Sequence, residues 1–74
     1  MTSKETEAFE LFVGQKFASA TSLMRKLSWD LSDAVRTVRA FERAGIVSRF
    51  NGVDKRSLRI WSLEEAKTRL GSLD

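Results

Sequence analysis

Three arginines recur at a spacing that could bind a polyanion. Arg36, Arg39 and Arg43 lie three and four residues apart in "DLSDAVRTVRAFERAGIVSRF", which is the spacing of one face of an α-helix. A guanidinium keeps its charge, and its planar fork of donors matches phosphate oxygens and the O6 and N7 acceptors of guanine. Such a stripe either binds a polyanion or is the solvated side of an amphipathic helix, and the residues around it favour one or the other.

The charge distribution favours a polyanionic partner. The 74 residues carry a formal net charge of +3, and residues 25–59 hold nine basic and four acidic side chains. The flanking segments are net acidic. A basic middle between acidic ends creates an oriented field that attracts nucleic acid.

The sequence lacks the residues and motifs that are most characteristic of catalytic and metal sites. The sequence has no histidine, no cysteine and no glycine-rich phosphate loop, and Glu64 and Glu65 are adjacent, so they point in different directions on a helix. We expect no enzyme activity, no cofactor, no metal and no small-molecule site. No apolar run approaches the length of a membrane span, and the polar start "MTSKETEAFE" is unlike a signal peptide. The expected location is therefore cytoplasmic, or nucleoid-associated in a prokaryote, with no membrane partner.

Capping patterns delimit the first two predicted helices. Thr2 and Glu5 form a capping box, in which each side chain accepts a hydrogen bond from an otherwise unpaired backbone N–H, and Gly14 suits a left-handed end. These signals predict helix 1 over about residues 3–13. Helix 2 is predicted over about 20–27, with three residues facing the core: Leu23, Met24 and Leu27.

The third predicted helix, about residues 31–44, is strongly amphipathic. Asp30 can cap its start, and Gly45 can end it. A rotation of about 100° per residue places one set of side chains toward the core, namely Leu31, Ala34, Val35, Val38 and Phe41. The opposite set comprises Ser32, Asp33, Arg36, Arg39, Ala40 and Arg43, with Thr37 at the boundary.

The remaining sequence is typical of a β-hairpin followed by a short helix. "IVSRF" and "SLRIWSL" are rich in β-branched and aromatic residues and flank the turn-forming "NGVDKR", which predicts a wing hairpin over about 46–62. Ser62 and Glu65 repeat the capping-box pattern, so a C-terminal helix is predicted over about 63–70. The fold class is thus mainly α with a small β-hairpin (α+β), in a single domain over 1–74. The order of elements is that of a winged helix-turn-helix.

The central part of the sequence resembles a known protein family. Residues 24–49, "MRKLSWDLSDAVRTVRAFERAGIVSR", are similar without gaps to the helix-turn-helix of MarR-type repressors, and "IWSLEEA" resembles the strand-to-helix exit of that fold. The matching positions are Leu27, Val38, Phe41, Gly45, Ile46, Val47 and Arg49. Ser28 replaces the usual turn glycine, and the long terminal helices with which MarR proteins dimerise and hold ligands are missing. The resemblance therefore implies the DNA-binding core and not an effector pocket.

A helix in the major groove presents its first exposed side chains to base edges. Arg36 is the leading candidate for a bidentate contact with guanine. Asp33 either accepts a hydrogen bond from cytosine N4 or, as we favour, orients Arg36 through an i,i+3 pair. The full set of base-reading candidates is Ser32, Asp33, Arg36, Thr37 and Ala40.

Other polar residues are candidates for contacts with the DNA backbone. Ser19 is the predicted N-cap of helix 2, where hydroxyl groups and helix-end amides can bind a phosphate. The backbone candidates are Ser19, Thr21, Ser22, Arg39, Arg43 and Arg49. The wing candidates, which would contact the minor groove or the backbone, are Asn51, Gly52, Lys55 and Arg56.

Exposed apolar residues bear on oligomerisation. Leu11, Phe12 and Val13 are consecutive, so at least one faces outward, which suggests a homodimer through helix 1 or the C-terminal helix. Trp29 is expected to cover the helix-turn-helix corner, and Trp61 to pack on the hairpin or at a subunit interface.

Together these features predict a double-stranded-DNA-binding protein, most simply a small transcription regulator such as a homodimeric repressor. Helix 31–44 would enter the major groove, and the 51–56 wing would contact the minor groove or the backbone. Two alternatives stay open. One is a winged-helix module that binds protein partners, and the other is an architectural or recombination-directing DNA-binding protein of phage, plasmid or viral type.

Overall fold

Four helices make up most of the computed structural model, which describes residues 1–71. They are α1 (Ser3–Gln15), α2 (Ala20–Lys26), α3 (Leu31–Arg43) and α4 (Leu63–Gly71). The predicted mainly helical class is confirmed. Among residues 1–71 the longest helices have 13 residues, which is shorter than the roughly 20 apolar residues of a membrane crossing.

The core forms where α1 packs against α3 through aromatic rings. Phe41 of α3 meets Phe9 and Phe12 of α1 edge to face, with ring centroids 6.4 Å and 5.9 Å apart. Edge-to-face pairs place the positive edge of one ring against the negative face of another. The chain after α3 adds Ile46 and Val47 to this core, and both are buried. The buried side of α3 fixes its opposite side toward solvent.

The ends of α1 show one correct and one wrong prediction. The capping box is confirmed, since the Thr2 amide donates to Glu5 Oε1 at 2.8 Å and the Glu5 amide donates to Thr2 Oγ1 at 3.1 Å. Gly14 does not end the helix. The helix continues to Gln15 and stops at Lys16, whose φ is +70° and whose amide donates to the Phe12 carbonyl at 2.7 Å. The left-handed end therefore falls where this amide can reach an otherwise unpaired carbonyl.

A tight turn joins α2 to α3. Ser28, which replaces the expected glycine, adopts a φ of +59°, a left-handed conformation that costs a residue with a Cβ about 1 kcal/mol. The Trp29 amide donates to the Leu23 carbonyl at 3.3 Å, and the Trp29 ring is buried, as expected for the corner. Asp30 Oδ1 accepts from the Asp33 amide at 2.8 Å, so Asp30 caps α3.

The segment between α3 and α4 corrects the hairpin prediction. Residues 1–71 contain no regular strand, and the two arms meet at one antiparallel bridge, Val47 with Leu58. Two residues nearer the turn, Arg56 pairs instead with Ala18, which precedes α2, through two backbone hydrogen bonds of 2.8 Å. The hairpin stays short because the second arm divides its backbone groups between two partners. Residues 49–55 therefore form a loop rather than a strand-bounded wing.

Two residues assigned to the core lie at the surface. Leu31 is 60% exposed and Met24 is also exposed, because α2 has only seven residues and buries Leu23, while Leu31 starts α3 at the rim of the core. Leu11 and Val13 on α1 are partly buried and pack against the core.

Candidate nucleic-acid interface

The exposed side of α3 forms a shallow, arginine-lined hollow of about 900 Å³. We call it the α3 hollow, and its lining residues are Asp30, Leu31, Ser32, Val35, Arg36, Arg39 and Arg43. All three arginines are exposed. The predicted stripe is therefore continuous along the helix, and the capping carboxylate of Asp30 stands at one end of it.

Asp33 is held by α1 at the edge of this surface. Lys4 Nζ lies 2.7 Å from Asp33 Oδ2 and 4.8 Å from the centre of the Trp29 ring, while Arg36 Nη1 lies 3.6 Å from Asp33 Oδ1. The hydrogen bond and charge of Lys4 lower the pKa of Asp33, with a smaller contribution from Arg36. The geometry fits the orienting role better than an acceptor role toward cytosine, because both carboxylate oxygens face cations.

Two base-reading candidates lie away from the α3 hollow. Thr37 is half-buried. Ala40 packs against the core and faces a different cleft, which Met1 and Leu70 also line. Neither residue lines the α3 hollow with Arg36, and their selection as base-reading candidates stays a prediction. Leu31 and Val35 line the hollow instead, and the sequence pattern had assigned both to the core.

The cationic surface continues past the end of α3. Arg43 and Arg49 share a second hollow of about 530 Å³ with Glu42 and Phe50. Both arginines are exposed. The spacing along α3 predicted Arg39 and Arg43 as backbone candidates, and Arg49 extends the same charge toward the 49–55 loop.

The start of α2 is occupied by a carboxylate of the protein itself. Ser19 Oγ donates to Asp54 Oδ2, and the amides of Ala20 and Thr21 donate to Asp54 Oδ1 and Oδ2 at 3.1 Å and 3.2 Å. Ser19 is also buried, and its Oγ accepts from the Ser22 amide at 3.2 Å. The predicted phosphate site at Ser19, Thr21 and Ser22 is therefore corrected, since Asp54 accepts these hydrogen bonds and its charge repels phosphate.

The position at the start of α2 stabilises the ionised form of Asp54. Partial burial raises its pKa, but hydrogen bonds from Ser19, Thr21 and Ala20 outweigh burial and lower the pKa below its ordinary value. Because the folded state favours the carboxylate form, Asp54 stabilises the protein at pH values above its unfolded-state pKa. This stabilisation is lost as the pH falls through the folded-state pKa.

We expect Asp54→Asn to lower the free energy of unfolding at neutral pH by about 1 kcal/mol, because one amide oxygen cannot replace two carboxylate acceptors. Between about pH 6 and about pH 3 the wild type should lose more stability than the variant. Asp33 and Glu42 also have lowered pKa values. Both proteins contain them, so their effect cancels when the two losses of stability are compared. Urea denaturation at the two pH values measures the difference, and equal losses would contradict the assignment.

Arg56 faces inward rather than toward a ligand. Its side chain is only 11% exposed, and Nη1 lies 2.6 Å from Glu42 Oε2 and 3.5 Å from the Ser48 carbonyl. The guanidinium also lies 5.1 Å from the centre of the Phe50 ring. The pKa of Glu42 is lowered, mainly because the Phe50 amide donates a hydrogen bond to its carboxylate. Burial raises this pKa, but the hydrogen bond and charge of Arg56 lower it further. The wing assignment of Arg56 is corrected, because these contacts attach the loop to α3.

The other wing candidates remain at the surface. Asn51, Gly52 and Lys55 are exposed, and Gly52 has a φ of +94°, which glycine adopts without strain. Asn51 Oδ1 accepts from the Val53 amide at 3.2 Å, which closes the turn. Lys55 Nζ lies 4.6 Å from the centre of the Phe17 ring. Lys55 and Arg49 are therefore the exposed cations of this loop.

Sequence reasoning missed Lys4, Asp54 and Leu31. Lys4 and Asp54 act on partners 29 and 35 residues away, so no local spacing could reveal them. The exposed position of Leu31 could have been suspected from its place directly after the cap, where a helix has only begun to pack.

Comparison with protein-family models, with curated protein sequences and with solved structures gave no match for this chain.

Proposed function

We propose that this protein binds double-stranded DNA and acts as a small transcription regulator with a winged helix-turn-helix architecture. In this proposal α3 enters the major groove, Arg36 contacts a base edge, and Arg39, Arg43 and Arg49 contact phosphates. The 49–55 loop lies beside the backbone or the minor groove, where Lys55 adds a second cation to Arg49.

The observation that carries the proposal is the arrangement of Arg36, Arg39 and Arg43. All three are exposed and line one continuous hollow on α3. The nearby carboxylates are engaged, since Asp30 caps the helix and Asp33 pairs with Lys4. A surface of this kind attracts a polyanion, because the three guanidinium charges that line the hollow outnumber the single carboxylate of Asp30.

The dimensions of α3 also suit the proposal. A helix of 13 residues is about 20 Å long at 1.5 Å per residue, and the major groove is about 12 Å wide. The first two turns can therefore reach base edges while the last turn stays near the backbone. Arg36 lies in the second turn and Arg43 is the last residue of α3, so the three arginines are not equivalent.

A titration with a fluorescent duplex of random sequence at two salt concentrations tests the proposal. Binding should occur at low salt and weaken steeply as salt rises, because each phosphate contact releases counterions. Failure to bind at low salt would overturn the proposal and favour the reading as a protein-interaction module. Selection of bound duplexes from a random pool then separates a sequence-specific protein, which enriches a defined sequence, from a purely architectural protein, which does not.

A further inference from the structure

Leu31 presents an exposed apolar side chain next to the arginines of the α3 hollow. It is 60% exposed, and it lines the α3 hollow together with Ser32 and Arg36. Single exposed apolar residues are common on protein surfaces. The position of Leu31, rather than its exposure alone, is therefore the informative feature.

Leu31 occupies the part of α3 that would meet base edges. It is the first residue of the helix, and the N-terminal residues of a recognition helix contact the bases. Val35 lies one turn further on the same face and lines the same hollow, where it is half-buried. Asp33, in contrast, is held at the edge by Lys4. The first two turns of α3 thus combine an apolar contact surface with the hydroxyl of Ser32 and the guanidinium of Arg36.

The major groove offers a matching apolar group. Among the four bases only thymine carries a methyl group in that groove, at C5, and apolar side chains contact it. We propose that Leu31, supported by Val35, contacts a thymine methyl group and makes α3 prefer a thymine near the guanine bound by Arg36. This inference rests on the proposed function and names a specificity-determining residue within it.

Deoxyuridine provides a direct test, because it pairs as thymidine does and lacks only the methyl group. A duplex selected by the wild-type protein from a random pool is resynthesised with each thymine replaced in turn by uracil. At one or two positions the wild type should bind about three- to fivefold more weakly, as expected for losing one buried methyl contact. Leu31→Ser should show no such loss at those positions.

Matched variants separate this contact from general effects. Met24→Ser removes another exposed apolar side chain, on α2 and outside the α3 hollow, and should keep the uracil penalty. Arg36→Ala should also keep the penalty, since it contacts a different base. Unfolding curves establish that Leu31→Ser is folded, as the exposure of Leu31 predicts.

The outcomes distinguish this inference from the proposed function. Salt-dependent and sequence-preferring binding without any uracil penalty would overturn the Leu31 contact alone, as would a penalty that persists in Leu31→Ser. If the wild type shows neither salt-dependent binding nor a sequence preference, both the Leu31 contact and the proposed function are overturned. A uracil penalty that is present in the wild type and Met24→Ser, and absent from Leu31→Ser, would support the contact.

Discussion

Phe41→Ala should destabilise the protein by about 3–5 kcal/mol, which is the usual cost of removing a fully buried phenylalanine. Phe41 is 0% exposed, and the substitution removes two edge-to-face ring contacts with α1. A chain of 74 residues has only about 4–11 kcal/mol of total stability at typical values per residue. We expect the melting temperature, followed by circular dichroism, to fall by roughly 15 °C or more.

Phe50→Ala is the matched control, because the same ring is removed from an exposed position. Phe50 is 58% exposed, and its ring contacts the Arg56 guanidinium, so we expect a loss below about 1 kcal/mol. An equal destabilisation by both substitutions would contradict the packing of α3 on α1 described above. That packing orients the α3 hollow, so the comparison also bears on the proposed function.

The double substitution Arg39→Ala/Arg43→Ala should weaken DNA binding roughly 10- to 50-fold at low salt, because two phosphate contacts are lost. The slope of log K against log salt should become shallower by about 2. Folding should be unaffected, since both side chains are exposed. Fluorescence anisotropy with a random-sequence duplex over a series of salt concentrations measures both quantities.

Lys67→Ala serves as the control for charge, because Lys67 is exposed on α4 and lies outside the α3 hollow. It should change the slope little. Arg36→Ala should instead reduce the preference for the selected sequence over random duplex, since base contacts specify and phosphate contacts position. Equal effects of Lys67→Ala and of either α3 arginine would contradict a binding surface on α3.

Several features were predictable because they depend on neighbouring residues. The capping box of Thr2 and Glu5 and the cap of Asp30 need only a side chain three residues from a free amide. The arginine face of α3 follows from helical periodicity. Capping and periodicity therefore predicted where α3 begins and that its arginines face solvent, which is the centre of the candidate site.

Other features could not be predicted because they depend on distant partners. Asp54 reaches the start of α2 and Arg56 reaches Glu42, whereas the sequence pattern predicts a turn between two strands with Arg56 in contact with DNA. The same applies to the hairpin, which stays short because Arg56 pairs with Ala18. Periodicity identifies β-forming residues but does not determine which backbone groups become their partners.

The most direct test of α3 as the DNA-binding surface is a map of backbone amide chemical shifts, recorded by NMR with and without a selected duplex. The largest changes are expected in α3, from Leu31 to Arg43, followed by Arg49 and the 49–55 loop. The outer faces of α1 and α4, including Glu7, Glu10 and Glu64, should change little. Changes confined to α1 and α4, with α3 unaffected, would contradict the proposed function.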